Sequence, residues 1–478
     1  MTTPPNILFL LPDQLRPDFL GCYGADFLRT PAIDSLAAHG RRFDAAISPS
    51  PICVPARASM LTGQHAHSTG IMHNMGWLRP DRRAMGIQTW PEILSAAGYY
   101  TAAIGKMHFY PWDLSEGFQH RIIGEDKRHI HVRDDYHHAL VSEGKAKLHG
   151  KDMPGYYETK GAGTNPLPDH LQPDRWVAHR AADHLRTLKG DQPFAMMVGF
   201  PGPHCPYDPP AEELSRVDPA AMPEALPRTE ESEKHLPGLV AGYKRDWADL
   251  DYSTLTDDQI RAIRHHYAVS VERLDEDVAM LIDTLRETGK LDNTIIVFAS
   301  DHGDYLGDFG LMGKGFFHEA SIRVPMIVAD FRAPAPEHGA GVEPAPVSLL
   351  DIFSSFIDWA GLDPAPQAQG RPLDDPDANR TIAGATSNGF MLRDARWKLV
   401  RYANGVQALF DLETDPGEQV NVMEAHPDIT ARLDLALTQS LLDGFAAGHA
   451  DKMVPDAKSP PEGAFHDRYW QRPYPAHG

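Results

Sequence analysis

Five short apolar runs, most of them closing on polar side chains, constrain this chain more than any other feature. They cover residues 6–11, 99–104, 194–200, 294–300 and 325–329. Each is rich in β-branched or aromatic residues and apolar nearly throughout, the pattern of a strand covered on both faces. Helical patterns lie between them. Thr30 and Pro31 open one helix as N-cap and first helical residue, and Gly40 closes it after His39. A longer one spans residues 257–288, with Ile263, Tyr267, Val271, Leu274, Val278 and Leu281 on one face. Strands alternating with helices predict an α/β fold: a large, mostly parallel sheet sandwiched by helices.

Residues 389–392, 397–402 and 407–411 read differently, as close-spaced short strands separated by turn signals, and residues 427–445 read as a helix. They predict a smaller C-terminal subdomain of short antiparallel strands plus a helix. The chain is thus divided at residue 375, with 1–375 as the α/β domain and 376–478 as the C-terminal subdomain. Pro- and Gly-rich residues 333–346 and 363–377 read as linkers or surface loops. The tail from residue 454 is Pro-rich yet carries Phe465, Tyr469, Trp470 and Tyr474. Such aromatics are expected to dock on their own subunit or on a neighbour, the second giving a homo-oligomer.

The chain has 478 residues and a net charge of −21, from 45 Lys plus Arg against 66 Asp plus Glu. That balance argues against non-specific nucleic-acid or anionic-membrane partners. Three cysteines cannot build a disulfide framework. Neither a signal peptide nor a membrane span is readable, so a cytoplasmic location is expected.

Four of the strand ends carry groups suited to a metal and an oxyanion: Asp13 and Gln14, Lys106 and His108, His204, and Asp301 and His302. Ligands bind at the carboxyl ends of parallel strands, so convergence of four such ends on one edge is the argument, since any single one is weak. A fifth group surrounds Cys53. Pro55 suits the first turn of a helix running toward Leu61, which places Cys53 at a helix N-terminus where backbone N–H groups favour anions. Arg57, one turn on, offers a planar fork for an oxyanion.

The segment from Cys53 through Pro55 and Arg57 to Leu61-Thr-Gly63 resembles the signature of type I sulfatases, within the alkaline phosphatase superfamily. The resemblance extends from Asn6–Gln14 through Gly105–His108, Pro203–Pro206, Asp301–Gly303 and Arg323–Pro325 to Arg396–Arg401 and Leu409–Glu418. It implies that Cys53 is converted to Cα-formylglycine by a dedicated maturation enzyme and that the substrate is a small-molecule sulfate ester. It implies one divalent metal, Ca²⁺ or Mn²⁺, held by Asp13, Gln14, Asp301, His302 and the modified Cys53. Arg57 and Lys106 would hold the gem-diol and the sulfate, and His108 would take the proton that expels sulfate. His204 and Lys314 would contact the sulfate and the leaving oxygen, with His204 as general acid and His318 able to share the role of Lys314. Asn74 is expected either to touch substrate or to cap a loop.

Two departures bear on substrate and metal. Many sulfatases have a carboxylate where this chain has Gln14 and an Asn where it has His302, which lowers ligand charge and favours softer metals. The Gln and His pair also resembles choline sulfatases and phosphonate monoester hydrolases, which leaves a phosphonate or phosphodiester hydrolase as the alternative. Lys106 two residues before His108 favours sulfate. A non-catalytic scaffold is a third reading, disfavoured because so many polar groups in one pocket cost stability. Specificity is assigned to loops 111–166 and 205–251, with Trp77, Tyr110, Trp112 and Tyr207 as pocket-lining candidates.

Overall fold

The computed structural model describes residues 4–125, 129–245, 248–334 and 341–449, so the aromatic tail and the oligomer expected from it lie outside the described residues. The strands are β1 Asn6–Asp13, β2 Arg41–Phe43, β3 Ala46–Ile47, β4 Tyr100–Gly105, β5 His120–Ile123, β6 Phe194–Pro203 and β7 Thr294–Ala299. They continue as β8 Met326–Asp330, β9 Gly341–Glu343, β10 Val347–Ser348, β11 Ile382–Thr386, β12 Gly389–Arg393, β13 Trp397–Tyr402 and β14 Gln407–Asp411.

Eight of these form the large sheet, in the order β5-β4-β6-β1-β7-β8-β2-β9. All its pairings are parallel except those of β8, which runs against both β7 and β2. β1 shows why both faces must be covered. Ile7, Phe9 and Leu11 point into one core, while Leu8 and Leu10 point into the other. The long helix Asp257–Glu287 packs on the second face through Tyr267, Val271, Leu274, Val278 and Leu281. On the first face lie Cys53–Thr62 and Leu350–Trp359, with Phe356 edge-on to Phe9 at 5.6 Å between ring centroids.

The C-terminal strands β11-β12-β13-β14 make a separate antiparallel sheet, and the helix Pro427–Gly448 packs on it through Leu433 and Leu437. One expectation needs correcting. Gly341–Glu343, inside a segment read as linker, pairs with β2 as an edge strand. An edge strand needs partners on one side only, so a Pro- and Gly-rich context does not exclude it.

Glu319, Lys398 and Glu418 meet between the two sheets. Lys398 Nζ lies 2.9 Å from Glu319 and 2.5 Å from Glu418. Burial pushes the Glu418 carboxyl up to about 7, with Lys398 opposing and Glu319 adding to the shift. A carboxyl raised in the folded state favours unfolding as pH climbs from its ordinary value of 4.5 toward about 7. Glu418→Gln should therefore gain stability relative to wild type across that window, by roughly 1 kcal/mol per pH unit. Urea unfolding at pH 5 and pH 8 checks it; a difference independent of pH would contradict the assignment.

Candidate active site

The four strands whose ends carry the expected groups, β4, β6, β1 and β7, are adjacent in the sheet. The backbone at their carboxyl ends is built to turn side chains inward. The register of β1 against β6 shifts at Asp13, and Gln14 has φ 69°. Gly105 and Gly199 face each other where β4 ends; a Cβ on Gly105 would stand 2.1 Å from the Gly199 carbonyl oxygen. That close approach lets Lys106 donate its N–H to Gly199 at 2.7 Å and turn into the site.

Cys53 opens the Cys53–Thr62 helix, as expected, and is fully buried. Its Sγ lies 3.2 Å from His302 Nε2 and 3.8 Å from Asp13 Oδ1. Asn74 caps this helix: its Oδ1 accepts from Val54 N–H at 3.0 Å. Of the two roles expected for Asn74, the structure displays the cap.

Arg57 is the hub. Its Nε donates to Asp301 at 2.9 Å, Nη1 to the Lys106 carbonyl at 2.9 Å, and Nη2 to Asp13 at 3.3 Å. Lys106 Nζ pairs with the same Asp13 oxygen at 2.7 Å. Burial and the Cys53 charge push the Asp13 carboxyl up, but Lys106, His204 and Lys314 outweigh them and hold it below the ordinary carboxylate range. Asp301 is pushed up by burial and by Asp13. Burial also opposes ionisation of the Cys53 thiol, yet Lys314, His302 and Lys106, with a hydrogen bond from His108, bring it well below its ordinary value.

His302 Nδ1 lies 3.0 Å from the Gly303 carbonyl, which can only accept, so Nε2 is the ring nitrogen left to face Cys53 and the two aspartates; burial disfavours the imidazolium, but Asp301 and Cys53 raise it above its ordinary value. Ligand atoms of Asp13, Cys53, Asp301 and His302 all lie within 4.8 Å of one another. Twice an ordinary metal–ligand bond is about 4 to 5 Å, so these four fit around one ion. The carbonyl oxygen of Gln14, expected as a fifth ligand, accepts from Lys314 at 2.5 Å, while its Nε2 donates to Asp304.

Lys314 Nζ also meets His204 Nε2 at 2.7 Å, and His204 Nδ1 is held by the Cys205 carbonyl at 2.7 Å. His318 is no substitute for Lys314. It is buried among Phe309, Phe410 and His235, and its Nδ1 is bound to Tyr305 OH at 2.7 Å. His108 is buried at φ 60°, with Tyr110 OH 3.2 Å from its Nε2.

Two buried carboxylates here escaped the sequence reading. Glu125 accepts from the N–H groups of Met107 and His108 at 3.2 and 3.0 Å and so fixes the turn carrying His108. Asp304 accepts from Gln14, from Tyr207 OH at 2.7 Å and from Gly313 N–H at 2.9 Å. Asp304 was within reach, three residues past Asp301; nothing in the sequence pointed to Glu125. The pocket-lining aromatics divide. Trp77 packs on Phe109 and bonds Glu116, Tyr207 is buried on Asp304, and Tyr110 and Trp112 form a ring cluster with His108 and His129.

Four clustered ligand atoms, Cys53 among them, and the cations Arg57, Lys106 and Lys314 at the end of a mostly parallel sheet suit a hydrolase site for an anionic ester. The sulfatase family model matches residues 5–362. A choline-sulfatase of Rhizobium meliloti is 32% identical over 454 residues, covering 89% of this chain and 83% of the relative. An arylsulfatase of Clostridium perfringens is 28% identical over 496 residues, covering 94% and 96%. The phosphonate monoester hydrolase of Agrobacterium radiobacter superposes with a TM-score of 0.77 at 23% identity, covering 93% and 96%, which speaks to fold. The chain belongs to the sulfatase family and is a sulfuric ester hydrolase. No helix among the described residues is long and apolar enough to cross a membrane.

Proposed function

We propose that this protein hydrolyses a small-molecule sulfate ester through Cys53 converted to formylglycine, beside one Ca²⁺ or Mn²⁺ ion held by Asp13, Gln14, Asp301, His302 and the modified residue. The observation that carries this reading is the placing of Cys53 Sγ 3.2 Å from His302 Nε2 and 3.8 Å from Asp13, the carboxylate that Arg57 and Lys106 both hold. When present, the hydrated aldehyde would supply an oxygen nucleophile and a route for expelling sulfate, and the ion would supply Lewis-acid polarisation of the ester.

The protein's own groups do the rest. Arg57 keeps Asp13 and Asp301 ionised and in register. Lys106 and Lys314 bring fixed positive charge to where the sulfate oxygens lie, which is worth more in a dry site than in water. His108, held by Glu125 through its backbone, takes the proton whose removal releases sulfate. The proton for the leaving oxygen comes from the His204–Lys314 pair. Since His204 Nδ1 is committed to a carbonyl, only Nε2 can deliver it. Every group named lies within residues 1–375, which supports that division as the catalytic unit. Three cysteines in 478 residues suit a reducing compartment, in keeping with a cytoplasmic location.

Lys106 and His108, both buried at the end of β4, favour sulfate over a phosphonate ester. Three measurements test the proposal. The peptide containing Cys53 should be lighter than its thiol form by the thiol-to-aldehyde difference. A chelator should remove turnover, and added Ca²⁺ or Mn²⁺ should restore it. An aryl sulfate should be turned over faster than the matching aryl phosphonate; the reverse order would instead support the phosphonate hydrolase.

A further inference from the structure

We propose that Asn388, at the tip of the β11–β12 hairpin, is a positioning residue for Lys314, an inference that rests on the sulfate-binding role given to Lys314 above. Lys314 sits in a stretch without regular structure, between Gly313 at φ 73° and Gly315 at φ 109°. Such a lysine stays in place only if its neighbours' backbone is held. On the near side, Gly313 N–H donates to Asp304 at 2.9 Å, and its carbonyl accepts from Tyr305 N–H at 2.8 Å. On the far side the holding groups come from the C-terminal sheet. The Gly315 carbonyl accepts from Asn388 Nδ2 at 2.9 Å and from Thr386 Oγ1 at 3.2 Å, and Phe317 N–H donates to Tyr402 OH at 2.8 Å.

The same hairpin reaches two other site segments. Ala385 N–H donates to the Pro49 carbonyl at 2.8 Å and Ser50 Oγ donates to the Ala385 carbonyl at 2.6 Å, three residues before Cys53. Ser387 N–H donates to the Met72 carbonyl at 2.9 Å, two residues before Asn74. The hairpin tip thus braces the chain on both sides of the sulfate position, although none of its residues reaches the reacting atoms. Of the two side-chain donors to the Gly315 carbonyl, Asn388 Nδ2 is the closer and can be removed without altering a backbone bond, whereas Thr386 Oγ1 also accepts from Asn388 N–H at 3.1 Å. A Cβ on Gly315 would stand 3.1 Å from that Nδ2, so the two segments already touch.

The test is a double-mutant cycle on aryl sulfate hydrolysis by the mature enzyme. Asn388→Ala should lower kcat/KM between about 10-fold and 100-fold, the cost of loosening a positioned group. Asn388→Asp keeps the side-chain volume and suits a turn but sets an acceptor against the Gly315 carbonyl, so it should lose at least as much. In a Lys314→Ala background, adding Asn388→Ala should cost less than about 3-fold more, because the residue it positions is gone. A purely structural role predicts losses that multiply instead. Multiplying losses, or a loss under about 3-fold in folded Asn388→Asp, overturn the proposal. Wild-type kcat/KM in Lys314→Ala overturns the role of Lys314 itself, and this proposal with it.

Discussion

Cys53→Ala should lose aryl sulfate turnover by about 10⁴-fold or more, the scale seen when a nucleophile is removed from an otherwise intact site. Folding should survive. The thiol is fully buried but small, and its replacement by a methyl group leaves little void. The variant should therefore melt close to wild type while its turnover vanishes. Steady-state kinetics alongside a melting curve check both halves. Turnover within tenfold of wild type would end the case for Cys53 as the reacting residue.

Arg57→Ala should have the largest effect on stability. Its guanidinium is buried, and the two carboxylates it holds, Asp13 and Asp301, have no exposure to water. Removing one partner of a buried ion pair typically costs about 3 to 5 kcal/mol, because the charge left behind is uncompensated. Lys106 still neutralises Asp13, so the burden falls on Asp301, already pushed up by burial and by its neighbour. Arg57→Lys should recover only part of the loss, since an ammonium cannot span the two carboxylates and the Lys106 carbonyl at once. Urea unfolding of the metal-stripped proteins measures it; a loss below about 1 kcal/mol would show that Arg57 is not the electrostatic hub. Divalent metal should restore part of the stability of Arg57→Ala, because an ion that binds the folded state offers the carboxylates a second partner.

Much of the site was legible because its groups follow strands. A fully apolar run that stops at Asp13, Lys106, His204 or Asp301 announces both a strand and what stands at its end, and the sheet order places those ends side by side. Cys53 was legible for a related reason, since Pro55 and Arg57 mark a helix start. What escaped were side chains that act from loops on other residues' backbones. Glu125 follows β5, a four-residue edge strand that opens on His120 and Arg121 and so does not read as an apolar run, and its partners are the N–H groups of Met107 and His108, which a sequence does not display. Asn388 looks like an ordinary turn residue, and only its distance to Gly315 gives it a part. The β9 edge strand was read as linker because composition registers Gly and Pro but not an open row of backbone partners.

The position of β1 has a consequence for biosynthesis. It is the earliest strand made and lies inside the sheet between β6 and β7, with Asn6 bonded to Thr294 across 288 residues of chain. At a translation speed of 5 to 20 residues per second, the segment emerges roughly 15 to 60 s before its last neighbour exists. Until β6 is made the apolar ribbon from Ile7 to Leu11 has no strand partner, and from then until β7 is made one of its edges stays open. Nascent chains shorter than about 300 residues should therefore be bound by holdase chaperones, or aggregate without them.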